Sequence, residues 1–179
     1  MKVLGISGSL RSDSHNTALL RNTPVELELW DDLRSIPPYD EDDDVEPAPP
    51  AVARMRATVA GADAILFATP EYNGSVPGQL KNAIDWMSRP RATSVLRNKP
   101  VAVVGASTGM FGGVWAQAEL RKVLATAGAR VVDAEVAVGH AATRFDTDGE
   151  LLDENLREQL QEAVDTLLAE LPARVPVAA

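Results

Sequence analysis

Lys2-Val3-Leu4-Gly5-Ile6-Ser7 is a short, mostly apolar run that stops at Gly8. A run of this kind, closed by a turn residue, reads as a buried strand. The pattern returns at Ala62-Asp63-Ala64-Ile65-Leu66-Phe67-Ala68 and at Pro100-Val101-Ala102-Val103-Val104-Gly105-Ala106. Helical patterns lie between these runs. Ser14 is placed to cap a helix through Leu20, Val52 to Gly61 forms a second helix ended by Gly61, and Gly78 to Ser88 a third that stops before Pro90. A fourth, from about Gly113 to Thr126, puts Ala116, Leu120, Val123, Leu124 and Ala127 on one apolar face. Asp153 caps a last helix that turns Leu156, Leu160, Ala163, Val164, Leu167, Leu168 and Leu171 inward. Two more strands are expected. Val25 to Trp30 alternates apolar residues with Glu26 and Glu28, the mark of a half-exposed, edge-side strand, and Val131 to Val138 carries the last one. Strands alternating with helices throughout argue an α/β fold with a parallel sheet covered on both faces.

The 179 residues suit a single domain, 1–179, with a loose tail from about residue 172. Aromatics are scarce at 4%, so Ala, Val and Leu must fill most of the core. The chain has no cysteine, which excludes disulfides, a cysteine nucleophile and thiolate metal sites. Its two histidines, His15 and His140, are too few for a histidine-rich metal centre. A net charge of −9 without a basic cluster disfavours nucleic acid and anionic membranes as partners. No apolar run approaches the roughly 20 residues that span a bilayer, and the first residues read as strand rather than as a signal peptide. A cytoplasmic protein is expected. The one compositional break, Pro37 to Pro50, is rich in Pro, Asp and Glu and reads as a loop with its charges in water.

In an open parallel sheet, ligands bind beyond the carboxyl ends of the strands. Three strand-to-helix loops leave those ends. The first, Gly8 to Asn16, joins a buried strand to a helix start, where free backbone N–H groups favour an anion. Ser9, Ser14, Asn16 and Arg11 would complete a cradle for one phosphate; the alternative is a Ser-rich helix cap beside a surface arginine. No Gly-x-Gly-x-x-Gly and no Gly-Lys-Ser/Thr is present to suggest a diphosphate. The second loop, Thr69-Pro70-Glu71-Tyr72-Asn73-Gly74-Ser75-Val76-Pro77-Gly78, is stiffened by Pro and Gly and offers an aromatic to a planar heterocycle, or is an ordinary connector. The third is Ser107-Thr108-Gly109-Met110-Phe111-Gly112-Gly113. Gly105-Ala106-Ser107-Thr108-Gly109 also fits the Gly-x-Ser-x-Gly elbow of serine hydrolases, with Asp133 and His140 following in order. An elbow needs its helix at once, and Met110 to Gly113 intervene.

Together the three loops, with Leu80-Lys81-Asn82-Ala83-Ile84-Asp85-Trp86, resemble the NAD(P)H-dependent FMN reductase family, which includes quinone, chromate and azo-dye reductases. The resemblance runs from Lys2 to about Leu171. It implies a flavodoxin-like three-layer sandwich whose five-stranded parallel sheet has the order 2-1-3-4-5. It implies that Ser9, Arg11, Ser14 and Asn16 bind the FMN phosphate. Pro70, Glu71, Tyr72 and Asn73 would bracket the isoalloxazine through backbone atoms, and Ser107, Thr108 and Gly109 would contact the flavin or ribityl chain. Gly112 and Gly113 would keep that side open. Family members are usually dimers or tetramers with flavin near a subunit boundary. The chain departs from many relatives in carrying Trp115, not a basic residue, after the glycine pair and Val114. Helical spacing puts Trp115 with Glu119 and Lys122, off the apolar face. It either packs in a subunit interface or over the substrate, or is a partly buried surface Trp.

The activity so implied is hydride transfer from NADPH or NADH through FMN to quinones, azo or nitro compounds, or metal oxyanions. No protein acid or base is required, so no catalytic residue is named; Glu71 reads as a solvated loop carboxylate. The competing readings are a flavodoxin-like electron carrier without nicotinamide turnover and, remotely, a hydrolase using Ser107.

Overall fold

The computed structural model describes residues 1–172. The tail expected to be loose lies, past Pro172, outside the described residues. Three strands form the centre of the sheet: β1 (Val3–Ser7), β3 (Ala64–Thr69) and β4 (Pro100–Ala106). At one edge β1 pairs with β2 (Glu28–Trp30), and at the other β4 pairs with β5 (Arg130–Val131) and β6 (Ala137–Val138). All pairings are parallel, in the order β2-β1-β3-β4-β5, with β6 also on β4.

Each central strand is buried on both faces because helices cover both, and the period of two sorts its side chains. Leu4, Ile6, Ile65, Phe67, Val101 and Val103 meet α2 (Pro50–Ala60), α3 (Gly78–Met87) and α4 (Val114–Thr126). Val3, Ala64, Leu66, Ala68, Ala102 and Val104 meet α1 (His15–Arg21) and α5 (Glu154–Ala169). Small alanines concentrate on this second face. The expected inward face of α5 holds, with Leu160, Ala163, Val164 and Leu167 buried and Leu156, Leu168 and Leu171 packed at its rim. Although aromatics are few, Trp86 and Phe67 are among the largest fully buried side chains.

Two expectations need correction. The last strand is not continuous. Val132 N–H still reaches Val101 O and Gly105 N–H reaches Val136 O, but between them the chain bows away from β4. The Arg121 guanidinium enters the gap and donates to Val103 O (3.2 Å) and Ala134 O (2.7 Å), replacing the missing ladder. Gly61 ends α2 as expected, in a right-handed conformation (φ −75°). The Pro37–Pro50 loop is not wholly solvated. Trp86 Nε1 and Asn82 Nδ2 both donate to Pro37 O, Tyr39 packs edge-on against Trp86, and Asp44 pairs with Arg56 at 2.8 Å with both side chains largely covered. Asn82 and Trp86, part of the motif on α3, therefore anchor this loop. Among the described residues no helix is long and apolar enough to cross a membrane.

Candidate active site

Parallel pairing brings the ends of β1, β3 and β4 to one edge, with Ser7 beside Ala68 and Thr69 beside Gly105. The three loops leave from there. In the first, serine hydroxyls fold the backbone: Ser7 Oγ accepts from Ser9 N–H, Ser9 Oγ from Arg11 N–H and Ser14 Oγ from Thr17 N–H, each at 3.3 Å. Each hydroxyl keeps its own proton to donate. Ser14 is the expected cap of α1. Arg11 is exposed and, among the described residues, has no carboxylate partner.

Asn16 is nearly buried, and its amide is already engaged. Its Nδ2 donates to Ala106 O at 2.8 Å, and its Oδ1 accepts Ala106 N–H at 2.9 Å. The side chain therefore ties the start of α1 to the end of β4, instead of standing free for a ligand.

In the second loop Tyr72 and Ser75 exchange backbone hydrogen bonds around Asn73 (φ 54°) and Gly74 (φ 73°). Positive φ at both central residues is what a type I′ turn needs, and Asn-Gly is its preferred pair. Asn73 thus sits at an exposed turn tip. Glu71 is half-buried, not solvated. Its Oε2 accepts the N–H groups of Trp115 (3.1 Å) and Ala116 (3.0 Å), capping α4, whose own cap position is a glycine. From α4, Glu119 Oε2 accepts Ser75 Oγ–H at 2.7 Å and Val76 N–H at 3.2 Å. The Ser75 hydroxyl, then the Val76 amide, hold the Glu119 carboxyl below the usual carboxylate range.

In the third loop Ser107 Oγ accepts from Gly109 N–H at 3.1 Å, while His140 N–H reaches Gly109 O. None of the described hydrogen bonds joins Ser107 to His140 or His140 to Asp133, and α4 begins only at Val114. The nucleophile–base contact of a hydrolase is not formed. Gly112 does not keep its side open: a Cβ there would lie 2.4 Å from the backbone of Ala137, so the glycine lets this loop close onto β6.

Ser9, Arg11, Ser14, His15, Asn16, Pro70, Glu71, Tyr72, Ala106, Ser107 and Thr108 enclose a cavity of about 90 Å³. Of the expected residues, Asn73 and Gly109 lie outside it. The volume suits a phosphoryl group and not a three-ring system, which would have to lie across the rim. Tyr72 of the lining is exposed, as are Met110 and Phe111 of the third loop and Trp115 at the start of α4, and Phe111 and Trp115 meet edge to face at 5.0 Å. His15 also lines the cavity, although none of the sequence motifs singles it out. It stacks on Phe145 (5.6 Å, 14°), and its only sequence signal is its place directly after the cap Ser14. Partial burial, then the charge of Arg11, lower its pKa below the ordinary value. A wider groove of about 430 Å³ adjoins the cavity, sharing Arg11 and Tyr72 with it and lined by Gly8, Leu10, Pro77 and Gly78 of the first and second loops; another, of about 490 Å³, lies between α3 and α4.

A family model described as NADPH-dependent FMN reductase matches residues 1–143. The chain is 45% identical over 174 residues, 93% of each chain, to an NAD(P)H-dependent FMN reductase of Pseudomonas aeruginosa. It is 38% identical over 176 residues to a 2-hydroxy-1,4-benzoquinone reductase of a Burkholderia species, covering 94% of this chain and 95% of that one. Among solved structures it is similar to the flavoenzyme NAD(P)H:(acceptor) oxidoreductase FerB of Paracoccus denitrificans, with a TM-score of 0.82 and 32% identity over 96% of this chain and 99% of that one. The flavodoxin-like sheet, the three converging loops and this likeness over nearly the whole length agree: the chain belongs to the NADPH-dependent FMN reductase family and is an FMN-dependent, NAD(P)H-oxidising enzyme.

Proposed function

We propose that the protein reduces quinones with electrons from NADPH or NADH, and that azo and nitro compounds and metal oxyanions are further acceptors. The observation that carries the reading is the cavity where Ser9, Arg11 and Ser14 face Pro70, Tyr72, Ser107 and Thr108. These residues fit FMN. Arg11 offers a guanidinium without a carboxylate partner, and the Ser9 and Ser14 hydroxyls have protons to give, the donor set a phosphate dianion needs. When bound there, FMN would supply the redox chemistry between nicotinamide and acceptor.

The protein's own part is to place and enclose. Arg11, Ser9 and Ser14 hold the phosphate, while Asn16 fixes the spacing between this loop and the exit of β4. Pro70 to Asn73 edge the ring through backbone atoms, with the Asn73-Gly74 turn setting the direction of Tyr72. Ser107, Thr108 and Gly109 meet the ribityl side. No side chain is asked to move a proton; Glu71 is committed to the start of α4. The exposed side chains of Tyr72, Met110, Phe111 and Trp115, on the second and third loops and the start of α4, support stacking of a flat acceptor and the pairing of two or four copies beside the flavin.

The test is an absorbance spectrum of the purified protein after mixing with FMN, followed by addition of NADPH or NADH and then a benzoquinone. Visible flavin bands should appear, bleach with the nicotinamide and return with the quinone. Bands that never bleach would leave an electron carrier, and colourless protein would end the proposal.

A further inference from the structure

We propose that His15 is a further ligand of the FMN phosphate and meets it as an imidazolium, so that capture of the cofactor draws one proton from solvent. This rests on the reading above, that the first loop holds the phosphate.

The argument begins with placement. The imidazole lines the same small cavity as Ser9, Arg11 and Ser14. One face of the ring lies on Phe145, so the ring is held in place instead of sweeping through solvent. The described hydrogen bonds give its ring nitrogens no protein partner, whereas the neighbouring Asn16 amide is engaged with Ala106. A fixed, half-buried imidazole with unengaged nitrogens, facing a cavity built for an anion, is a donor waiting for an acceptor.

The surrounding charges decide which form it takes. Arg11 and Asp13 share its loop, Glu71 and Tyr72 border the cavity from the second loop, and Ser107 and Thr108 bring no charge. Next to Phe145 in the chain, Arg144 is paired with Asp153, and the Asp146 carboxylate holds the N–H groups of Asp148 and Glu150. Glu71 serves α4. Without a ligand, partial burial and then the charge of Arg11 disfavour the protonated ring. A phosphate dianion inverts that balance: it is the strongest charge in the cavity and favours the protonated ring.

The chain has only His15 and His140, so proton NMR titration of the two imidazoles is unambiguous, with His140 as internal reference. With FMN the His15 midpoint should rise by about one unit or more, while riboflavin, which lacks the phosphate, should leave it in place. Each unit corresponds to about a tenfold gain in affinity on acidification. His15→Phe keeps the stacked ring and removes the nitrogens. FMN affinity of this variant, read by quenching of flavin fluorescence, should match the wild type near pH 8.5 and fall behind by about tenfold near pH 5.5. The comparison cancels the titration of the phosphate itself. His15→Gln serves as a second variant should the Phe form fold poorly. An unmoved His15 midpoint with FMN bound, or parallel affinity curves for wild type and variant, would overturn the inference and leave the cofactor assignment intact. Failure to bind FMN at any pH would overturn both.

Discussion

Glu71 and Glu119 each hold the segment that carries the other. Glu71, on the loop after β3, takes the first N–H groups of α4, and Glu119, on α4, takes the Ser75 hydroxyl and Val76 N–H of that loop. The two contacts clamp the second loop of the site to the first turns of α4, which follow the third loop directly. Removing the cap with Glu71→Ala should cost about 1 kcal/mol of stability, measured by urea unfolding, as for other lost helix caps. It should also weaken FMN, since the clamp holds the loop that forms one of the cavity's walls.

Glu119 gives the clamp a pH dependence. Its carboxyl sits below the ordinary carboxylate value because the folded state satisfies the anion. Such a group adds stability above its unfolded pKa and loses it as pH falls through the lower folded value. Wild type should therefore exceed Glu119→Gln in stability at neutral pH, and the gap should close on acidification below the normal glutamate range. Thermal unfolding of both proteins from pH 7 to pH 3 checks this.

Asn16→Ala should behave as a structural lesion felt at the cofactor. It leaves the N–H and C=O of Ala106 unpaired in a buried place, a loss of about 1–3 kcal/mol. Urea unfolding should register it, and flavin content after purification should drop with it. Asn16→Ala with full stability would mean that water replaces the amide.

Arg11→Ala should do the reverse. The side chain is exposed and without a carboxylate partner, so stability should hardly change. Loss of a charge-assisted hydrogen bond of about 1.5–3 kcal/mol corresponds to roughly ten- to hundredfold weaker FMN. Flavin content unchanged by the substitution would remove Arg11 from the site.

Trp115 is 53% exposed and leans on Phe111, not on the core. Trp115→Ala should shift the oligomer size in light scattering or narrow the range of quinones reduced, at little cost to monomer stability. If neither changes, Trp115 is an ordinary surface residue.

The parts of this fold that were readable are those in which one local pattern decides the outcome. β1, β3 and β4 stand out because strands buried on both faces need continuous apolar runs. Ser14 and Asp153 announce helix starts because a cap acts within three residues. The loops of the site were readable for the same reason. What escaped depends on contacts far apart in the chain. Asn16 looks like a ligand until Ala106, 90 residues on, is seen to occupy its amide. Glu71 looks solvated until α4 folds over it, and Asp44 until Arg56 reaches it. The break in the last strand has no local signal either; it needs Arg121 from a helix.

That break has a consequence for the protein's life in a crowded solution. A sheet whose outer strand is long and flat invites a neighbouring molecule to add its own strand, the first step toward fibres. Here one margin has only the three residues of β2, and the other is two dipeptides separated by a bow that a guanidinium plugs. Among the described residues, neither margin offers a stranger a row of free amides to zip onto.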